Sequence, residues 1–364
     1  METYFKPDER SAYDAIFEAQ KISFAPIIFQ STRALLKTGI LKALEDSAET
    51  GMSIEELSKK CDVPEYGVGV LLDMALSSRV VWLDTETDHY HLNKIGHYLL
   101  NDQMTKVNFN FTADVNYAGM ERLLESVAGG RAAGLTEFTE EENTIYPILA
   151  DLPEEAKKSW FDFDHFYSDR AFGRALKKIF GEIKPKVIMD IGANTGKWAI
   201  RCLEKDPDVK MVLVDLPKQL EVSKKNIEER GFSDRVEFVA CDMLKDELPK
   251  RPDVDMVWMS QFLDCFSPEQ IENILLNVKQ SVPEDSHVMI LELFWDRQAH
   301  EAAAFILNST SLYFTAMANG TSRMYRSKYF KKYLANSGYE VLDQIDNIAV
   351  GGHSLLTCRK EVSN

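Results

Sequence analysis

The amino-acid sequence predicts an α/β fold: a Rossmann-like doubly wound sheet, preceded by a small, mostly α unit. Three observations carry that prediction. The run Val187-Ile188-Met189-Asp190-Ile191 is apolar around one acid and leads into Gly192-Ala193-Asn194-Thr195-Gly196. A helical pattern follows from Lys197, which is the order of a buried strand, a tight turn and a helix. The form then recurs. Met211 to Asp215, Val236 to Ala240, Asp255 to Met259 and His287 to Leu291 are further apolar runs, separated by helical patterns that include Pro217 to Gly231 and Pro268 to Val282. Strand–helix alternation implies a parallel sheet with right-handed crossovers. Lastly, the N-terminal third lacks this alternation and reads as helices followed by a hairpin.

Taken in chain order, Tyr13 to Ile22 and Ile27 to Leu44 read as helices with apolar faces. Met52 to Lys60 is a third helix, where Ser53 precedes Glu56 by three residues in the arrangement of a capping box. Pro64 to Arg79 is a fourth. Val80-Val81-Trp82-Leu83, a polar turn and His89-Tyr90-His91-Leu92 form a hairpin. Helix, helix and hairpin make a winged helix, whose best-known use is DNA recognition. The helix that would enter the groove carries Glu65, Asp73 and the single basic Arg79, whereas phosphates and base edges call for basic and amide side chains. A role in subunit assembly is therefore preferred.

Residues 104–180 bridge this unit and the sheet and are rich in aromatics: Phe109, Phe111, Tyr117, Trp160, Phe161, Phe163, Phe166 and Tyr167. Packing between helices accounts for most of them, and a cover over a flat aromatic ligand for a few. Gly129 to Gly134 reads as a turn, and Glu140 to Glu142 as a solvated acidic run. Gly338 to Ile345 and His353 to Arg359 read as two final strands forming an antiparallel hairpin. The expected division is 1–103, 104–180 and 181–364.

Composition narrows the function class. A chain of 364 residues with 45% apolar content holds two real cores. No apolar run is long enough to span a membrane, and the first ten residues lack the apolar centre of a signal peptide. The net charge of −16 argues against nucleic acid and anionic membranes as partners. Five scattered cysteines form no Cys-x-x-Cys pair and no metal-ligand set, which suits reduced thiols in a cytoplasmic protein without structural metal.

Three nucleotide-loop patterns compete for the segment after Asp190. A dinucleotide fingerprint needs glycine where Asn194 and Lys197 stand, and a phosphate loop needs four residues between its glycines and Ser or Thr after Lys197, where Trp198 stands. Asp-x-Gly-x-x-x-Gly with an acid at the end of the next strand fits S-adenosylmethionine (SAM) methyltransferases of class I. An ordinary strand–turn–helix is the plain alternative. Asp215, Asp242 and Glu292 close or follow three of the strands, and ligands of open α/β sheets sit beyond those ends.

At this point the chain resembles the SAM-dependent O-methyltransferases of the caffeate and hydroxyindole type. Asp190 to Gly196, then Asp215-Leu216-Pro217, then Asp242-Met243 match the family's order and spacing. The resemblance implies a seven-stranded class I methyltransferase domain behind a winged-helix dimerisation domain, hence a homodimer acting on small molecules. It implies that Gly192 approaches the methionine part of SAM, that Asp215 holds the ribose hydroxyls, that Asp242 and Met243 border the adenine, and that Asp190 and Leu216 also belong to the cofactor site. Ser260 falls where some members place a cofactor-side lysine. Phe163, His165, Phe166, Phe262 and Trp295 are the expected substrate contacts.

The catalytic positions depart from the family. Its general base is the histidine of His-Asp-Trp, and Asp264-Cys265-Phe266 stands in that place. Its first supporting glutamate corresponds to Glu292, and its second falls near Met324 and is missing. A phenol titrates near 10 and an ordinary Asp near 3.9, so Asp264 would need burial to raise its pKa before it could serve as a base. It could otherwise orient the hydroxyl, or merely cap a helix. His165 or His300 could supply the base instead, while Cys265 lacks the neighbouring histidine a nucleophile needs. The expected reaction is O-methylation of a small hydroxylated aromatic or polyene. N- or C-methylation, other SAM-assisted chemistry, and a non-catalytic SAM-binding regulator are the alternatives.

Overall fold

The computed structural model describes residues 2–168, 172–348 and 351–361. The chain forms two compact units, Glu2–Asn110 and Phe111–Asn364. In the first, helices Ala12–Ser23, Ala25–Lys37, Ile40–Asp46, Ile54–Cys61 and Glu65–Ser77 precede strands β1 (Val81–Asp84) and β2 (His89–Leu92), which pair antiparallel. The helix expected over Ile27 to Leu44 is broken. Gly39 has φ 80° and heads the next helix, a left-handed conformation that a Cβ would disfavour. The capping box forms as expected, with Ser53 Oγ accepting from the Glu56 N–H and Glu56 Oε2 accepting from the Ser53 N–H. Leu35, Ile40, Leu44, Leu57, Leu72 and Val81 make the core of this unit, while Tyr13 and Ile22 stay 87% and 77% exposed.

The second unit holds a seven-stranded sheet: β3 (Val187–Ile191), β4 (Lys210–Asp215), β5 (Val236–Ala240), β6 (Met256–Ser260), β7 (His287–Glu292), β8 (Tyr339–Ile345) and β9 (Ser354–Lys360). Their spatial order is β5-β4-β3-β6-β7-β9-β8. The first five run parallel, and β9 pairs antiparallel to both β7 and β8. The strands are apolar on both faces because both faces are covered. Met189, Val212, Val257 and Ile290 pack on one side with helix Pro268–Ser281. Ile188, Met211, Leu213 and Trp258 pack on the other with helix Lys197–Lys205.

The strand order reverses between β3 and β6, which makes a crevice beyond their carboxyl ends. Ile191 lies level with Val214 and Met259, and Ser260 with Leu291. Gly192, Asp215, Ser260 and Glu292 therefore line one rim. A third cluster joins Phe111, Ile145, Leu149 and Ala156 to Leu293, Tyr313, Phe314 and Met317, so part of the stretch expected as a bridge shares a core with residues that follow β7.

Candidate active site

The loop after β3 is shaped by a carboxylate. Asp215, at the end of β4, accepts from the Asn194 N–H at 2.7 Å with one oxygen and from the Leu216 N–H at 2.7 Å with the other. A carboxylate has about four lone-pair sites, so two remain for a ligand. Gly192 has φ 76°, and a Cβ there would stand 2.4 Å from the Phe262 ring. Phe262 is thus laid against the loop that its own position in the sequence, 70 residues on, does not suggest. Asp190 is 3% exposed and its Oδ2 has no hydrogen-bond partner. Burial, with the nearby Asp215 charge adding to it, pushes its carboxyl up to about 8. Beyond β5, Asp242 accepts from the Leu244 N–H at 3.0 Å and pairs with Lys245 at 2.8 Å. Met243 is buried beside it, Leu216 is 44% exposed, and Ser260 ends β6 half-buried.

This rim suits a nucleoside bearing a cationic amino-acid arm. The glycine admits close approach, Asp215 keeps acceptor capacity for a diol, and the orphaned Asp190 oxygen needs a donor. The residues present therefore fit SAM.

The second half of the site is built on Glu292. Its Oε1 accepts from the Phe262 N–H at 3.1 Å and the Leu263 N–H at 2.9 Å. It thereby fastens the loop that carries Asp264. Gln261, at φ 48°, opens that loop, and its N–H is held by the Leu291 carbonyl. Asp264 sits in a short 3-10 turn, Leu263–Cys265, and is 5% exposed. Burial, opposed by the Cys265 thiol donating at 3.6 Å and assisted by the Asp164 charge, holds its carboxyl up at about 7. Burial and the Asp264 charge push Glu292 well up too. Asp264 is not a helix cap. Ser267 caps helix Pro268–Ser281, with its Oγ accepting from Gln270 and the Gln270 side chain returning the bond.

The other expected residues distribute as follows. Phe163 stacks on Phe111 at 4.0 Å between centroids, and Phe166 meets Tyr167 edge-on. His165 Nδ1 lies 3.2 Å from Lys197 Nζ, and its ring stacks on Phe161. Trp295 stands on a turn after β7, with the Arg326 guanidinium 6.0 Å from its ring. His300 is exposed at the head of helix Glu301–Tyr313. Among the described residues neither His165 nor His300 is hydrogen-bonded to Asp264. Met324 is buried in the aromatic cluster, where the family's second glutamate would fall.

Four residues escaped the sequence reading. Tyr146 and Tyr313 face Cys265, and Tyr313 Oη accepts from Trp160 Nε1 at 2.7 Å. Asn319 Nδ2 donates to the Cys265 carbonyl at 2.8 Å, and Tyr325 Oη to the Phe266 carbonyl at 2.6 Å. None belongs to a motif. Only the aromatic density of 104–180 hinted at a wall, and it could not say which ring turned inward.

Comparison with known proteins agrees with this geometry. Residues 173–340 match the model of an O-methyltransferase domain, and residues 17–90 that of a Dimerisation2-like domain. The L-tyrosine C(3)-methyltransferase of Streptomyces lavendulae is 21% identical over 344 residues, 93% of this chain and 91% of that protein. The phenazine O-methyltransferase of Lysobacter antibioticus is 29% identical over 73% of this chain and 75% of its own. Among solved structures, a mitomycin 7-O-methyltransferase superposes with a TM-score of 0.69 at 17% identity, covering 96% of this chain and 98% of that one.

Proposed function

We infer that this chain, which belongs to the O-methyltransferase family, methylates a hydroxyl of a small, flat aromatic acceptor with SAM as donor, and that Asp264 takes the hydroxyl proton. SAM supplies a methyl group made electrophilic by its sulfonium. The protein has to align an oxygen with it and remove a proton as the bond forms. Asp215, with Leu216, is the proposed ribose holder, and Asp242 and Met243 the adenine border. Gly192 and Asp190 are assigned to the methionine arm. Ser260, half-buried at the rim, is assigned to the same pocket.

The single observation behind the base is the burial of Asp264 in a loop fixed from outside by Glu292. At about 7 its carboxyl is half ionised near neutral pH and basic enough to share a phenol proton. Glu292 is a positioning residue here, because it bonds the backbone of the loop. Phe262, Phe163, His165, Phe166 and Trp295 are the proposed aromatic contacts of the acceptor.

Asp264→Asn tests the reading. It keeps the shape and removes the basicity, so methyl transfer measured by mass spectrometry should fall about 10²- to 10⁴-fold with little change in SAM affinity. A wild-type rate in the variant would end the base assignment.

Carbon methylation is the second reading. It is favoured by the near full-length likeness to a protein named for methylating a tyrosine ring carbon. A phenolate activates its ortho carbon, so the same base serves both outcomes. Two-dimensional NMR of the product separates a methoxy group from an aryl methyl. Homodimer formation and cytoplasmic residence are further parts of the proposal. The Dimerisation2-like match and the exposed N-terminal apolar side chains support the first. Five unpaired thiols suit the second.

A further inference from the structure

The charge of the chain is unevenly spread. Acids outnumber cations 58 to 42 overall, yet between Glu301 and Glu340 there is no acid and there are five cations: Arg323, Arg326, Lys328, Lys331 and Lys332. Three of them stand on helix Ser327–Asn336, whose buried face is made by Ser327, Phe330 and Leu334. Lys328 and Lys332 are exposed, and Lys331 is half-buried. Their spacing of three and four residues places them side by side on successive turns, where like charges repel. Tyr329 stands among them, 51% exposed, and Arg323 is exposed on the segment that leads into the helix.

Four acids on the elements packed against this helix already have partners. On strand β8, Glu340 pairs with Arg359 at 3.2 Å and Asp343 with Lys178 at 3.0 Å. On helix Pro268–Ser281, Glu272 accepts from the Asn336 amide at 2.7 Å. After β7, Asp296 accepts from the Ser327 N–H and hydroxyl and lies 3.8 Å from Arg326. Among the described residues, Arg323, Lys328, Lys331 and Lys332 enter no ion pair. A helix that sets like charges together and leaves them unneutralised carries a cost that an opposite charge from outside would remove.

The arrangement selects among anions. A small anion is held by donors that converge in a hollow, and these cations lie along the convex side of a helix. A nucleic acid would run past the patch onto a molecule of net charge −16 and be repelled. An acidic protein can confine its carboxylates to the patch, and an exposed tyrosine amid charges is the kind of anchor that protein interfaces use.

We propose that the outer face of helix Ser327–Asn336, extended by Arg323, docks an acidic protein whose carboxylates meet the four unpaired cations around Tyr329. The face adjoins the candidate active site. Arg323 leads into Met324, which is buried in the aromatic cluster, and Tyr325, whose hydroxyl donates to the Phe266 carbonyl at 2.6 Å. The inference concerns a surface and holds independently of the methyl-transfer reading.

The test uses the full-length protein and a fluorescein-labelled helical peptide of glutamate, alanine and leucine, by fluorescence anisotropy. Wild type should bind the peptide at low salt and release it at high salt. Lys328→Glu with Lys332→Glu should weaken binding at least about 10-fold, and Tyr329→Ala about 5-fold, with the melting temperature unchanged. Lys224→Glu with Lys225→Glu makes the same change of net charge on helix Pro217–Glu229 and should leave affinity within about twofold, because screening confines the effect to the patch. If charge reversal unfolds the protein, Lys328→Gln with Lys332→Gln should still show a loss of about 3-fold. The proposal is overturned by a wild type that does not bind the peptide, or by equal losses in the two charge-reversed pairs. Displacement of the peptide by an equal concentration of inorganic phosphate, or tighter binding of a DNA duplex, overturns it as well.

Discussion

At the scale of single residues, two carboxyls define what can be measured. Asp264 is held up at about 7 by burial, whereas in the unfolded chain it titrates near 3.9. A carboxyl raised in the folded state contributes stability below its unfolded value and loses it as pH rises toward the folded value. Asp264→Asn removes that loss. The variant's melting temperature should therefore gain on that of wild type as pH rises from 4 to 8. A margin independent of pH would mean that Asp264 is not buried as an acid. Asp215 bears on the cofactor instead. Because both of its oxygens already hold the loop, Asp215→Ala should weaken SAM binding at least about 100-fold by calorimetry. The proposed cofactor positions could be picked out in the sequence because each closes or closely follows a strand. Asp264 was legible only as a substitution in a known place, and its environment was not. That environment brings Asp264 together with Asp164, Cys265 and Glu292, which the sequence scatters over 128 residues or joins without a motif.

At the scale of elements, the segment between β6 and helix Pro268–Ser281 divides its labour. Glu292 fixes its start, Asn319 and Tyr325 hold its carbonyls, and Ser267 with Gln270 begins the helix. Ser267→Ala should lower stability by about 1 kcal/mol in a denaturant titration while leaving the rate per folded molecule intact, since Asp264 is held from elsewhere. A large loss of rate without loss of stability would show that the cap sets the base. The strands and most of the helices that the sequence marks match to within a residue or two because hydrophobic period and caps are local signals, whereas Glu301–Tyr313 and Ser327–Asn336 were not read. The break at Gly39 was missed because the apolar pattern runs through it. The π turns Thr112–Asn116 and Phe314–Ala318 were missed because one extra residue per turn leaves no mark in composition.

At the scale of the molecule, assembly is the outstanding measurement. Tyr13, Ile16 and Ile22 lie on one short helix with 61–87% of their surface exposed, more apolar surface than a lone subunit ordinarily leaves in water. Light scattering at micromolar concentration should give the mass of two chains, twice 41.5 kDa. A clean monomer would contradict the assembly. Strand–helix alternation marks the start of the sheet near residue 187, but the two units divide at Asn110/Phe111, where the sequence carries no such change of pattern, and the separate stretch expected over 104–180 falls almost wholly in the second unit.

The reactive loop is secured almost wholly through its main chain. Gln261, Phe262 and Leu263 are held by their N–H groups, and Cys265 and Phe266 by their carbonyls. Position 264 is therefore a socket held mainly from its neighbours, to which the Asp264 carboxyl adds bonds with the backbone of residues 264 and 265. A lineage could exchange the side chain there while the anchors on residues 261–263, 265 and 266 stay in place. If the proposed base acts from this socket, it can be retuned separately from the proposed cofactor rim, and descendants of one scaffold can move between acceptors of different acidity by changes at a single codon.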